Sequence, residues 1–122
     1  QGRPNRWTYN ILFPQGGREE PRFPGLVKYD LSTGGYIAYS AGPQYFYNEP
    51  GFAPRDNAVE EDDGYLVTLA WNPIDMRSEI QVFDAKGARM AEGPMARIIL
   101  PRRVPHGFHA TFVSQKTLDR WK

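Results

Sequence analysis

Among 122 residues with no cysteine and only two histidines, the positions able to do chemistry are few. His109 stands in Arg102-Arg103-Val104-Pro105-His106-Gly107-Phe108-His109-Ala110, where a loop punctuated by proline and glycine gives way to an apolar run at 110–113. A neutral imidazole at such a strand edge is a good metal ligand. It is also the ordinary setting of a hydrogen-bonded core histidine, and taken alone the second role is the commoner. His106 lies three residues earlier, a spacing that brings two imidazoles together only on a helix. Pro105 and Gly107 argue against a helix there, so His106 reads as a surface residue or one standing behind the ligands.

Two carboxylate-bearing stretches complete the inventory. In Tyr47-Asn48-Glu49-Pro50-Gly51-Phe52-Ala53-Pro54-Arg55, Glu49 precedes a proline, which favours extended backbone. Aromatic residues at 45, 46, 47 and 52 surround it. A carboxylate there is either exposed or paired, because an unpaired buried charge is costly. A histidine N–H is one natural partner, since a carboxylate behind a metal-bound imidazole fixes its tautomer and orientation. Glu60-Glu61-Asp62-Asp63-Gly64 lacks the alternating oxygen spacing of a calcium loop. Its plain reading is a solvated turn whose aspartates organise entry into the next strand.

The elements that must position these groups are short and β-rich. Twelve glycines and eleven prolines are spread along a chain that is 14% aromatic. Strand patterns occur at residues 6–12, 26–30, 36–39, 65–71, 79–84, 96–100 and 110–113. Ser32-Thr33-Gly34-Gly35 and Asn72-Pro73-Ile74-Asp75 read as hairpin connections. A short helix is expected near the C-terminus, with Ser114 as N-cap and Thr117-Leu118-Asp119-Arg120-Trp121 following. The class is all-β with antiparallel strands. Propeller blade, sandwich and barrel all suit the pattern.

Composition narrows the function classes. Fifteen basic against fourteen acidic residues leave no electrostatic footprint for nucleic acid. Absence of cysteine excludes thiolate metal sites and disulfides and is compatible with a reducing compartment, so a cytoplasmic location is expected. No run approaches the roughly 20 apolar residues of a membrane-spanning helix. Membrane association is left open. The chain starts at Gln1, and residues 1–122 are expected to be a fragment of a single larger domain.

Three motifs in order resemble the C-terminal part of the carotenoid cleavage oxygenases. They are Glu49-Pro50-x-Phe52-x-Pro54-Arg55, Glu60-Glu61-Asp62-Asp63-Gly64-Tyr65-Leu66 and Arg103-Val104-Pro105-x-Gly107-Phe108-His109, with Asp84-Ala85 matching a strand ending between the last two. The resemblance implies the closing blades of a seven-bladed β-propeller carrying one Fe(2+) on its axis, held by four histidines. It makes His109 the last of those ligands and Glu49 the carboxylate hydrogen-bonded behind that same histidine, orienting it, with the other three histidines upstream in the remainder of the same polypeptide. It also implies cleavage of a conjugated C=C bond of an elongated apolar or aromatic alkene (a carotenoid, apocarotenoid or stilbene), with O2 as co-substrate and two carbonyl products. Phe52 and Phe108 are candidates for the wall of the substrate channel, and either suits ordinary core equally. The isolated chain, with one ligand, is expected to be inactive. His106, where many relatives have tyrosine, and the small residues flanking Phe52 depart from the family pattern. The competing expectations are a small β-rich binding module without metal and a relative that isomerises double bonds.

Overall fold

The computed structural model describes residues 5–12, 23–42 and 45–102. They form two antiparallel sheets. The first has the order β1 (Trp7–Leu12), β2 (Gly25–Asp30), β3 (Tyr36–Ser40), with Trp7 opposite Asp30, Leu12 opposite Gly25 and Gly25 opposite Ser40. In the second, β4 (Phe46–Tyr47) and β5 (Gly51–Pro54) lie in succession along one side of β6 (Gly64–Asn72), and β7 (Arg77–Asp84) and β8 (Ala96–Ile99) continue on the other. A single 3-10 turn, Arg89–Glu92, bridges β7 and β8.

Local chemistry makes each hairpin. Between β2 and β3, Asp30 Oδ1 accepts from the Ser32 amide at 2.9 Å and the Ser32 hydroxyl at 2.6 Å, a self-bonded aspartate turn. Gly34, at φ 78°, then supplies the left-handed residue that lets the chain reverse. Between β6 and β7, Asn72 Oδ1 accepts from the amides of Ile74 and Asp75 at 3.0 and 3.2 Å.

The longest strand, β6, alternates strictly. Gly64, Leu66, Thr68, Ala70 and Asn72 are buried, and the residues between them are half-buried. Period two assigns these sets to opposite faces. The buried face meets the first sheet in a core of Leu26, Tyr47, Leu66, Ala70, Phe83, Ala85 and Met90. Tyr39 and Tyr47 each set a ring edge-on to Phe83, with centroids 5.3 and 6.3 Å apart. Such pairs add about 0.5–1.5 kcal/mol beyond the area they bury.

The strands expected at 6–12, 26–30, 36–39, 65–71, 79–84 and 96–100 are present within two residues at each end. Three elements were not foreseen: β4, β5 and the 3-10 turn. The strand expected at 110–113 and the C-terminal helix from Ser114 lie outside the described residues. Both histidines and Phe108 do so as well.

Candidate functional site

Glu49 belongs to a break in an otherwise regular ladder. Tyr47 is opposite Ala70, and Gly51 is opposite Val67. Asn48, Glu49 and Pro50 therefore face only Leu69 and Thr68, one residue more than the partner strand supplies. This is a β-bulge, a device that bends a strand and re-aims a side chain. Pro50 has no N–H to give the ladder, which favours the break at this point. The Asn48 amide still reaches Leu69 O at 2.9 Å, and the buried Thr68 hydroxyl donates to Asn48 O at 2.6 Å. Glu49 itself is half-buried between buried Asn48 and buried Pro50.

The extra residue also changes facing. Tyr47 pairs with Ala70 and Phe52 with Leu66, both partners being on the buried face of β6. Without the bulge an odd and an even position could not share one face. Phe52 thereby packs against the core and stacks on Tyr9 of the first sheet, with centroids 5.5 Å apart and planes 8° from parallel. Gly64 makes room for this strand. A methyl group there would strike the Ala53 carbonyl and come within 2.7 Å of the Phe52 ring and 2.9 Å of Pro54 Cα. Tyr9 Oη is buried with no hydrogen-bond partner among the described residues. Burial, with the charges of Asp62 and Glu61 added, holds that phenol well above its ordinary range.

The acidic run is more than a solvated turn, and the expectation is corrected here. Glu61 and Glu60 are exposed, but Glu61 accepts the Trp7 amide at 2.9 Å and the Arg6 amide at 3.0 and 3.1 Å, satisfying the start of β1. Asp62 is buried and receives the Lys28 ammonium at 2.7 Å and the Gly87 amide at 2.9 Å. Lys28, fully buried, also donates to Ala85 O and Gly87 O and lies 4.1 Å from the centre of a Trp7 ring. Burial pushes the Asp62 carboxyl up, but its bonds from Lys28 and Gly87 and the Lys28 charge outweigh that, so the group stays ionised below its ordinary value. Asp63 pairs with Arg55 at 2.8 Å, and Arg55 bonds the Tyr65 hydroxyl. The aspartates organise entry into β6 as expected. The burial of Asp62, and the clamp it makes onto β2, arise because an ammonium from the other sheet neutralises it.

A second buried network lies on the same face of the second sheet. Tyr47 donates to Gln81 Oε1 at 2.7 Å, and Gln81 donates to Glu79 Oε1 at 2.8 Å. Arg77 Nε reaches Glu79 Oε2 at 3.1 Å, and Asn72 adds a longer contact at 3.4 Å. Burial raises the Glu79 pKa, and bonds from Gln81, Arg77 and Asn72 lower it by more, leaving the group below its usual value. Sequence reading passed over this cluster because its members alternate with apolar residues on β7 and look like a solvent face.

Among the described residues, no three histidine, cysteine or acidic side chains converge as a metal site. No helix among them is long and apolar enough to cross a membrane. What they offer is one bulge-held carboxylate and two fully bonded carboxylate networks.

Comparison with known proteins gives this arrangement its family. The profile of the retinal pigment epithelial membrane protein family matches residues 1–114. The carotenoid 9,10(9',10')-cleavage dioxygenase of Crocus sativus is 36% identical over 110 residues, covering 78% of this chain and 20% of its own length. Resveratrol cleavage oxygenase 1 of Aspergillus fumigatus is 31% identical, covering 90% of this chain and 22% of its own length. The crystal structure of cobalt-substituted Synechocystis apocarotenoid oxygenase superposes with a TM-score of 0.76 at 31% identity, over 88% of this chain and 22% of that one. The chain thus spans about a fifth of the length of the curated relatives it matches. With a profile match over nearly all its residues and relatives above 30% identity, this chain belongs to the retinal pigment epithelial membrane protein family, that of the carotenoid cleavage oxygenases.

Proposed function

We propose that this chain is the C-terminal part of a non-haem Fe(2+) dioxygenase that cleaves a conjugated C=C bond. Its two sheets would be closing blades of a seven-bladed propeller, and the rest of the polypeptide would supply three further histidine ligands. His109 would be the fourth, and Glu49 would accept the N–H of a ligating imidazole. The observation that carries this reading is the bulge, which sets a half-buried carboxylate at a defined point on an edge strand, in the motif shared with the family.

The donor set fits such a group. Imidazole suits ferrous iron, and a carboxylate acts best behind the ligand, where it holds the ring in one tautomer with the metal-facing nitrogen unprotonated. Iron, when bound, supplies the activation of O2, whose two atoms end in the two carbonyl products. Glu49 would orient and polarise. Phe52, fixed by Tyr9 and Gly64, and Phe108 would exclude water along the path of an apolar substrate. The names of the relatives support a carotenoid, apocarotenoid or stilbene as the class of alkene. A cytoplasmic location is part of the same proposal, and fractionation of expressing cells reads it.

The test uses the full-length polypeptide that carries this chain, incubated with resveratrol or an apocarotenal under O2. Two carbonyl products per alkene, each carrying one 18O label from 18O2, are expected. A rearranged alkene with no carbonyl pair would replace cleavage by isomerisation.

A further inference from the structure

Thr68 is a buried hydroxyl between two apolar inward neighbours on its strand, Leu66 and Ala70. At that position valine would serve packing equally well, so the hydroxyl needs a reason. Its donor hydrogen is directed at a backbone carbonyl outside its own strand, Asn48 O, at 2.6 Å; a longer 3.2 Å contact goes to Leu69 O. Asn48 O is the carbonyl that precedes Glu49, and Asn48 N is bonded to Leu69 O at 2.9 Å. The two ends of the Asn48 unit are thus both tied to β6, one by the ladder and one by a side chain. Pro50 leaves the other side of Glu49 without an N–H for the ladder. Regular pairing resumes only at Gly51 opposite Val67. Thr68 is therefore the side-chain tie at the point where the ladder itself is interrupted.

We infer that Thr68 is a positioning residue for the metal centre, acting through Glu49 by fixing the bulge from which that carboxylate projects. The inference rests on the proposed role of Glu49. A bulge interrupts the regular ladder, so the backbone direction there depends on the bonds that flank it. A carboxylate that orients an imidazole is sensitive to sub-ångström placement, and loss of such outer partners commonly weakens metal binding 10- to 100-fold. Loss of one tie beneath it, a bond of ordinary net strength, corresponds to about a 3- to 10-fold effect.

The experiment is a double-mutant cycle on the full-length polypeptide, with Co(2+) as a redox-stable probe. Affinity is measured by competition with a chelator, and the visible spectrum reports coordination. Thr68→Val is expected to weaken Co(2+) binding about 3- to 10-fold, and Thr68→Ser, which keeps the donor, to restore it. In a Glu49→Gln background, Thr68→Val should add nothing, because residues acting through one another are not additive. Asp62→Asn serves as the control for general destabilisation: it should lower the melting temperature and leave Co(2+) affinity unchanged. Thr68→Ala replaces Thr68→Val if the latter does not fold. Parental affinity in the hydroxyl-less variant, or full additivity with Glu49→Gln, overturns the role of Thr68. Parental affinity in Glu49→Gln alone overturns the functional reading beneath it.

Discussion

The ammonium of Lys28, in the middle of β2, lies 2.7 Å from the carboxylate of Asp62, in the loop that opens β6. The contact joins the two sheets at a point where neither residue can reach bulk water easily. Lys28 has three donor hydrogens, and three oxygens receive them: Asp62 Oδ2, Ala85 O and Gly87 O. Asp62 Oδ2 also accepts from Gly87 N, so the loop after β7 is held by the same pair. The central part of the acidic run Glu60–Asp63 is here a structural clamp.

Breaking that pair from one side strands a buried carboxylate and two carbonyls. Lys28→Met keeps most of the side-chain volume over Trp7 and should still lower unfolding free energy by about 3–5 kcal/mol, read by urea denaturation. A loss below about 1 kcal/mol would mean that the clamp is solvated in solution.

Acid should unfold this region through the same carboxylates. The folded pKa values of Asp62 and Glu79 lie below their unfolded values. The Arg6 guanidinium, followed by the Ser32 hydroxyl, likewise holds Asp30 far below the usual carboxylate range. A depressed folded pKa contributes stability that is present above the unfolded value, about 4, and is lost as pH falls through the folded one. Melting temperature should accordingly fall as pH drops below about 4, and Asp62→Asn should flatten that dependence while lowering the plateau at neutral pH. An acid limb equally steep in the variant would remove Asp62 from the account.

Gly64 closes the acidic signature for a steric reason. Its φ is not positive; the constraint is the approach of β5, whose Ala53 carbonyl and Pro54 Cα occupy the space a methyl group needs. Gly64→Ala should cost about 1–3 kcal/mol, as overpacking does, and should displace Phe52 from its stack on Tyr9. Thermal denaturation and the near-ultraviolet circular dichroism of the aromatic residues check both parts.

Much of this was legible in advance, and the parts that were not have physical reasons. The β2–β3 hairpin and the β6–β7 pair announce themselves by alternation and by Asp30, Gly34 and Asn72 at their turns. The strands β4 and β5 do not, because two and four residues around Asn48-Glu49-Pro50 carry no period, and a proline in the middle reads as loop. Their pairing comes from the register of β6, which is tertiary information. Lys28 misleads in a similar way: in Gly-Leu-Val-Lys-Tyr-Asp a lysine looks solvent-facing, and its partner is 34 residues away. Glu49 was located from its motif, but the bulge that holds it half-buried appears only once the ladder is counted.

The isolated 122-residue chain carries a single candidate imidazole ligand at His109. It should bind Fe(2+) weakly and below one equivalent, as read by anaerobic equilibrium dialysis, and should not cleave an alkene. One tightly held iron per monomeric chain would contradict the shared four-histidine site.

The most direct test of the iron site is the iron content of the full-length protein with and without His109. The parent should hold close to one iron per polypeptide, and His109→Ala should lose most of it together with alkene cleavage while remaining folded. Iron content unchanged in His109→Ala would show that His109 is not a ligand, and the chain's role would then be that of a β-rich module without a part in the metal centre.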